Sequence, residues 1–170
     1  MKGLNTAQGQ RLLGECVAEF SRGASVAAQR TARLLGTIDF PVINDAPALA
    51  STAQTIWSDE MGISPPEYIA HMTVVQSHSP CLSIVQEIYH GLDWYQSEKS
   101  NSPYTQIVGP SSLIDREDFR LGLFLLPENI VYPNHQHSPD EVYIVLAGSG
   151  EWSLNRGTFE KKTAGNIIDI

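Results

Sequence analysis

The sequence predicts an α+β fold in which a helical N-terminal region, residues 1–102, is followed by an antiparallel β-barrel, residues 103–170, the two forming one structural unit. Three observations predict it. Apolar residues recur at spacings of three and four through much of the first half, the period of helices buried along one stripe. After Pro103 the chain turns to short segments rich in β-branched and aromatic residues, separated by turn residues at intervals of about ten, the rhythm of an antiparallel sandwich or barrel. The length of 170 residues, with 42% hydrophobic and 18% charged residues, suits one globular domain with its own core.

Each element has its own justification. Leu12, Leu13, Cys16, Val17 and Phe20 place a helix over Thr6 to Phe20, and Val26, Ala27, Leu34 and Leu35 place a second over Ala24 to Leu35. "SPPE" at Ser64 to Glu67 combines a capping serine, first-turn prolines and a glutamate three residues after the cap, so a helix is expected from Pro65 to about Gln76. "SHSP" repeats the signal with Ser79 as cap and Pro80 at the first helical position. Leu82, Val85, Ile88, Tyr89 and Leu92 then predict a helix from Pro80 to about Tyr95, with Gly91 as its weak point. The polar stretch from Gln96 to Gln106 reads as a break. Strands are expected at Phe119 to Leu126, Glu141 to Gly148, Gly150 to Asn155 and in the closing "NIIDI", with "NRG" at Asn155 to Gly157 as a hairpin turn.

Charge and targeting signals narrow the function classes. Against 11 basic residues stand 19 acidic ones, a net charge of -8 that argues against nucleic acid or an anionic membrane as partner. The first residues, "MKGLNTAQGQRLLGE", lack a signal-peptide apolar run, and no segment reaches the ~20 apolar residues of a membrane span, so a cytoplasmic protein is expected. Cys16 and Cys81 are far apart in sequence without CxxC spacing and read as ordinary buried thiols. His71, His78 and His90 lie in or beside predicted helices and read as surface or satisfied core residues.

The chemistry concentrates in "YPNHQHSPDEVY", Tyr132 to Tyr143. On a strand, residues two apart share a face, so His135 and His137 present both imidazoles to one side, and Glu141 and Tyr143 do likewise. With Ser138 to Asp140 as a short turn, Asp140 belonging to the turn rather than to the ligands, all four side chains converge. Two imidazoles and a carboxylate with open positions suit a divalent transition metal, Fe, Mn, Ni or Zn. Trp152, by residue type alone, belongs to the core or the rim.

"HQHSPDEVYIVLAG" resembles the first cupin motif, two histidines one apart, a glutamate four after the second and a glycine seven beyond that: His135, His137, Glu141 and Gly148. The family's opening glycine, six before the first histidine, is Asn129 here; that position serves a turn. With the tyrosine of HxHxxxExY at Tyr143, a second at Tyr132 and a helical N-terminal extension, the chain is similar to the cupin-type dimethylsulfoniopropionate (DMSP) lyases. The resemblance is motif-specific over about Tyr132 to Trp152.

The resemblance implies β-elimination of DMSP, a small zwitterion, to dimethyl sulfide and acrylate. The implied metal ligands are His135, His137 and Glu141. Tyr143 would be the general base, Tyr132 its neighbour or alternate and a substrate contact, and Trp152 a second aromatic face for the sulfonium. A second cupin motif would open at Gly165 and reach a further ligand histidine beyond Ile170, so the barrel is expected to be truncated within that motif, with its last strands and one ligand missing. Other classes compatible with the motif are a metallo-cupin oxygenase or isomerase, and a non-catalytic cupin that binds a small ligand or only dimerises. The helical region would either form a homodimer contact or cover the barrel mouth.

Overall fold

The structure, a computed structural model, describes residues 4–41, 69, 79–98, 100–132 and 140–170. The helix expected over Pro65 to Gln76, with His71 and His78, lies outside the described residues except for Ile69, which is buried in the core.

Helix α1 is Thr6–Ser21. Asn5 opens it with a reciprocal cap: the Gln8 N–H donates to Asn5 Oδ1 at 2.9 Å and the Asn5 N–H to Gln8 Oε1 at 3.2 Å, satisfying two first-turn donors. Helix α2 is Val26–Leu35, capped by Ser25, whose hydroxyl accepts from Ala28 N–H and donates to Asp169 Oδ1 at 2.8 Å. Helix α3 is Pro80–Ile88, capped by Ser79 with Pro80 in the first turn, where a missing N–H costs nothing.

Helix α3 ends earlier than its periodicity predicts. A 3-10 turn, Tyr89–Gly91, follows Ile88, and Leu92 is already extended at φ -96°, ψ 144°. Trp94 folds back into the core and its indole N–H donates to the Tyr89 carbonyl at 3.2 Å, occupying an acceptor at the helix end. Tyr95 therefore belongs to a strand, β1, Tyr95–Gln96.

The expected break over Gln96 to Gln106 also needs correcting, because β2, Pro103–Gly109, is the centre of the largest sheet. Strand β1 pairs with it antiparallel (Tyr95 opposite Tyr104). So does β4, Leu121–Phe124 (Tyr104 opposite Phe124, Thr105 opposite Leu123), while β3, Ile114–Asp115, pairs parallel. A central strand has its backbone satisfied on both edges, so Thr105 is buried although its composition reads as loop. Strand β5, Val142–Ile144, pairs antiparallel with β8, Ile167–Asp169; β6, Ser149–Trp152, pairs antiparallel with β7, Glu160–Thr163. The "NRG" turn between β6 and β7 has Asn155 at φ 53° and Arg156 at φ 59°, closed by Gly157 N–H to Leu154 O at 2.8 Å, which is type I′ geometry.

The architecture is α+β. The expected antiparallel barrel is not what the described strands form: they make one four-stranded sheet with a parallel pair and two two-stranded sheets, with no closed barrel among the described residues. One core joins the two halves. Leu12, Leu13 and Phe20 of α1, Leu35 of α2, and Ile84, Val85 and Ile88 of α3 bury against Ile107 and Val108 of β2, with Leu121, Leu123, Val142 and Ile144 packed on them. Gly23 lets the α1–α2 connection pack closely on α2 and β8, since a Cβ there would meet Ala28 Cβ at 2.5 Å and Ile167 Cδ1 at 3.0 Å. Among the described residues no helix is long and apolar enough to cross a membrane.

Candidate active site

Strand β5 has two faces, and the site is on the one that the helices leave free. Val142, Ile144 and, just beyond the strand, Leu146 pack against the core. Side chains alternate along a strand, so Glu141 and Tyr143 point the other way. Strand β4 divides in the same manner: Leu121 and Leu123, with Leu125 after them, join the core, which leaves Phe124 on the opposite face.

Glu141 is fixed by its backbone. It exchanges both hydrogen bonds with Ile170, at 3.3 and 2.9 Å, so the β5–β8 ladder runs one residue past each strand end and sets the carboxylate beside Tyr143. The Tyr143 hydroxyl donates to Glu141 Oε2 at 3.1 Å, and the Tyr143 ring packs on Trp152 of β6 with centroids 5.3 Å apart and planes at 50°. Tyr132 meets Phe124 edge to face, 5.2 Å between centroids at 70°, the arrangement that aromatic quadrupoles favour.

Electrostatics joins these side chains into one group. The Tyr143 phenol is pushed well above its ordinary pKa by burial, then by the charge on Glu141, by its hydrogen bond to that carboxylate, and by Tyr132. Tyr132 is raised by burial and then by the same Glu141 charge. Both tyrosines are therefore neutral donors beside a carboxylate.

Two turns around the site use left-handed backbone. Gly148, between β5 and β6, has φ +74°, and Asn129, at the position of the motif's opening glycine, has φ +60°. Asparagine enters that region more readily than other side chains, so the substitution keeps the turn.

The structure thus brings Tyr132, Glu141, Tyr143 and Trp152 together. His135 and His137, with Ser138, lie outside the described residues, while Asp140 is exposed. Among the described residues no group of three metal-ligating side chains occurs, Glu141 being the one described member of the expected ligand set. His90 is exposed and stacks on Tyr89, away from this cluster. Phe124 was not singled out from the sequence, although its alternation with Leu121, Leu123 and Leu125 marks it as the residue facing away from the core.

An α+β chain thus gathers a carboxylate, two phenols and an aromatic wall from β4, β5, β6 and the segment at Tyr132. A family profile described as dimethylsulfoniopropionate lyase matches residues 68–169, and the chain belongs to that family. No curated protein and no solved structure matches the chain.

Proposed function

We propose that the chain is a metal-dependent lyase that cleaves DMSP to dimethyl sulfide and acrylate by β-elimination. The observation that carries this reading is the family match over residues 68–169, a segment that includes Tyr132, Glu141, Tyr143 and Trp152. A cupin-type barrel around them is part of the same proposal.

The reaction removes the proton on the carbon next to the substrate carboxylate, forms the carbon–carbon double bond and breaks the carbon–sulfur bond. Dimethyl sulfide leaves neutral, so no acid is needed at the leaving group. Tyr143 is assigned as the base that takes the proton. Tyr132, adjacent to the same carboxylate, is assigned to substrate contact and as alternate base. The faces of Tyr132 and Trp152 would hold the sulfonium by cation–π attraction.

Tyrosine ionises near 10 when unperturbed, and beside an unneutralised Glu141 it is more reluctant still. The donor set answers this. Glu141 presents a half-buried carboxylate on the open face, and two imidazoles with a carboxylate suit Fe, Mn, Ni or Zn, with His135, His137 and Glu141 as the residues that would hold the ion. Such an ion supplies positive charge that favours the phenolate and offsets the charge developing on the substrate carboxylate.

The test is headspace detection of dimethyl sulfide, with acrylate followed in solution, for the chain loaded in turn with each of the four metals and its metal content measured. Stoichiometric release of both products with at least one metal is expected. Absence of both across all four would overturn the reading.

A further inference from the structure

Among the described residues, the richest cluster of titratable and nucleophilic side chains away from the candidate active site lies between α1 and α3. Cys16 of α1 faces Cys81 of α3 with sulfurs 3.9 Å apart, and the two residues are 9% and 1% exposed. Beside them Glu19, buried in α1, accepts from the Ser79 hydroxyl and pairs with Arg22 at 2.5 Å. Ser79 Oγ accepts from the Cys81 N–H at 3.2 Å, and the Ser79 N–H donates to Leu146 O at 2.9 Å, tying the start of α3 to the chain leaving β5. The carboxylate and the hydroxyl thus satisfy one another. The two sulfurs touch only weakly and have no part in that network.

We propose that Cys16 and Cys81 are a modification site, a dithiol that an oxidant of the peroxide class converts into an intramolecular disulfide joining α1 to α3. The sulfurs are 3.9 Å apart, so about 2 Å has to close between them to reach the S–S bond length. In the first step one thiol sulfur attacks a peroxide oxygen: the O–O bond breaks, a sulfenic acid forms and water leaves. In the second the other sulfur displaces that oxygen: the S–S bond forms, the S–O bond breaks and the thiol proton departs in a second water. Two thiols are oxidised and one hydrogen peroxide is reduced to two waters.

Burial selects the oxidant. Neither sulfur is open to a glutathione-sized disulfide, whereas hydrogen peroxide is little larger than water. Burial also sets the pace: the Cys16 thiol is held well above its ordinary pKa by its contact with Cys81, by desolvation and by the charges of Glu19 and Glu15. The thiolate fraction is small at neutral pH, so the first step is slow and accelerates with rising pH.

The experiment exposes the 170-residue chain, under native conditions, to hydrogen peroxide or to glutathione disulfide, followed by quenching, denaturation, alkylation and intact mass. After peroxide the expected product is a monomer lighter by two hydrogens that takes no alkyl group, recovers two after dithiothreitol, and melts at a higher temperature. The melting point of a Cys16→Ser chain is expected to be unmoved by peroxide. Glutathione disulfide is expected to leave both thiols alkylatable. Free thiols after peroxide, sulfinic or sulfonic acids in place of the disulfide, disulfide-linked dimers alone, a glutathione adduct on the native chain, or a peroxide-induced rise in melting point that persists in Cys16→Ser would each overturn the proposal.

Discussion

The two faces of β5 are alike in exposure, every residue of the strand being half-buried, and differ in chemistry and in what they meet. Toward the helices, Val142, Ile144 and Leu146 enter a core in which Ile84 and Val108 are fully buried and Leu12 and Leu35 nearly so. Away from them, Glu141 and Tyr143 stand half-buried beside Trp152, and the exposed apolar residues Val131, Leu154 and Phe159 lie near in sequence on the same part of the chain. The first face gains free energy by excluding water. The second keeps polar groups desolvated enough to be perturbed and open enough to meet a ligand. One three-residue strand serves both because its side chains alternate.

Substitutions on the core face test its half of this division most severely. Ile84→Ala removes a fully buried side chain between helix and sheet and should cost about 2–5 kcal/mol of stability, read by denaturant unfolding. A loss under 1 kcal/mol would mean that the helices are held to the sheet by something other than this core. Glu19→Ala leaves the buried Ser79 hydroxyl without its acceptor and should cost about 1–3 kcal/mol, with Glu19→Gln, which keeps an acceptor, costing less. Arg22, the partner of that buried carboxylate, is itself exposed, so its end of the ion pair is open to screening by salt.

On the open face smaller effects are expected, and they should appear in function before stability. Phe124→Leu removes the edge-to-face support of Tyr132, worth about 0.5–1.5 kcal/mol, and should raise KM for DMSP by up to about tenfold while the melting temperature barely moves. A fall in melting temperature with KM unchanged would make Phe124 a packing residue only. At the far hairpin, Arg156→Gly relieves a non-glycine residue at φ 59° in a type I′ turn and should stabilise the chain by up to about 1 kcal/mol with no change in turnover.

How much of this the sequence discloses follows from the range of the interactions involved. Local signals are legible. The capping serine at Ser79, the first two helices to within two residues at their ends and the "NRG" turn depend on residues within one turn of each other, and the structure has them where the pattern places them, though Ser25, the cap of α2, falls inside the expected helix. The alternation that sends Glu141 and Tyr143 to one face is equally local. What depends on partners distant in the chain is not legible. Strand β2 begins in a polar stretch and owes its burial to strands on both sides, and the Cys16–Cys81 and Glu19–Ser79 contacts join residues sixty or more positions apart; the early end of α3 is the exception, a local contact of Trp94 with Tyr89 that apolar periodicity does not register. The barrel expected from the spacing of turns is likewise a matter of long-range pairing, and the described strands form sheets without closing one. The metal-ligand assignment rests on spacing and resemblance, with only Glu141 among the described residues.

Adjacent residues of one strand thus have separate duties, and one paired measurement addresses this directly: melting temperature and dimethyl sulfide release for Tyr143→Phe and Ile144→Ala. Tyr143→Phe should lower release by about 10²-fold or more with melting little changed. Ile144→Ala should lower the melting temperature, while the fraction that remains folded releases dimethyl sulfide at close to the unaltered rate. Unchanged release by Tyr143→Phe, or loss of release by folded Ile144→Ala equal to that of Tyr143→Phe, would contradict the division.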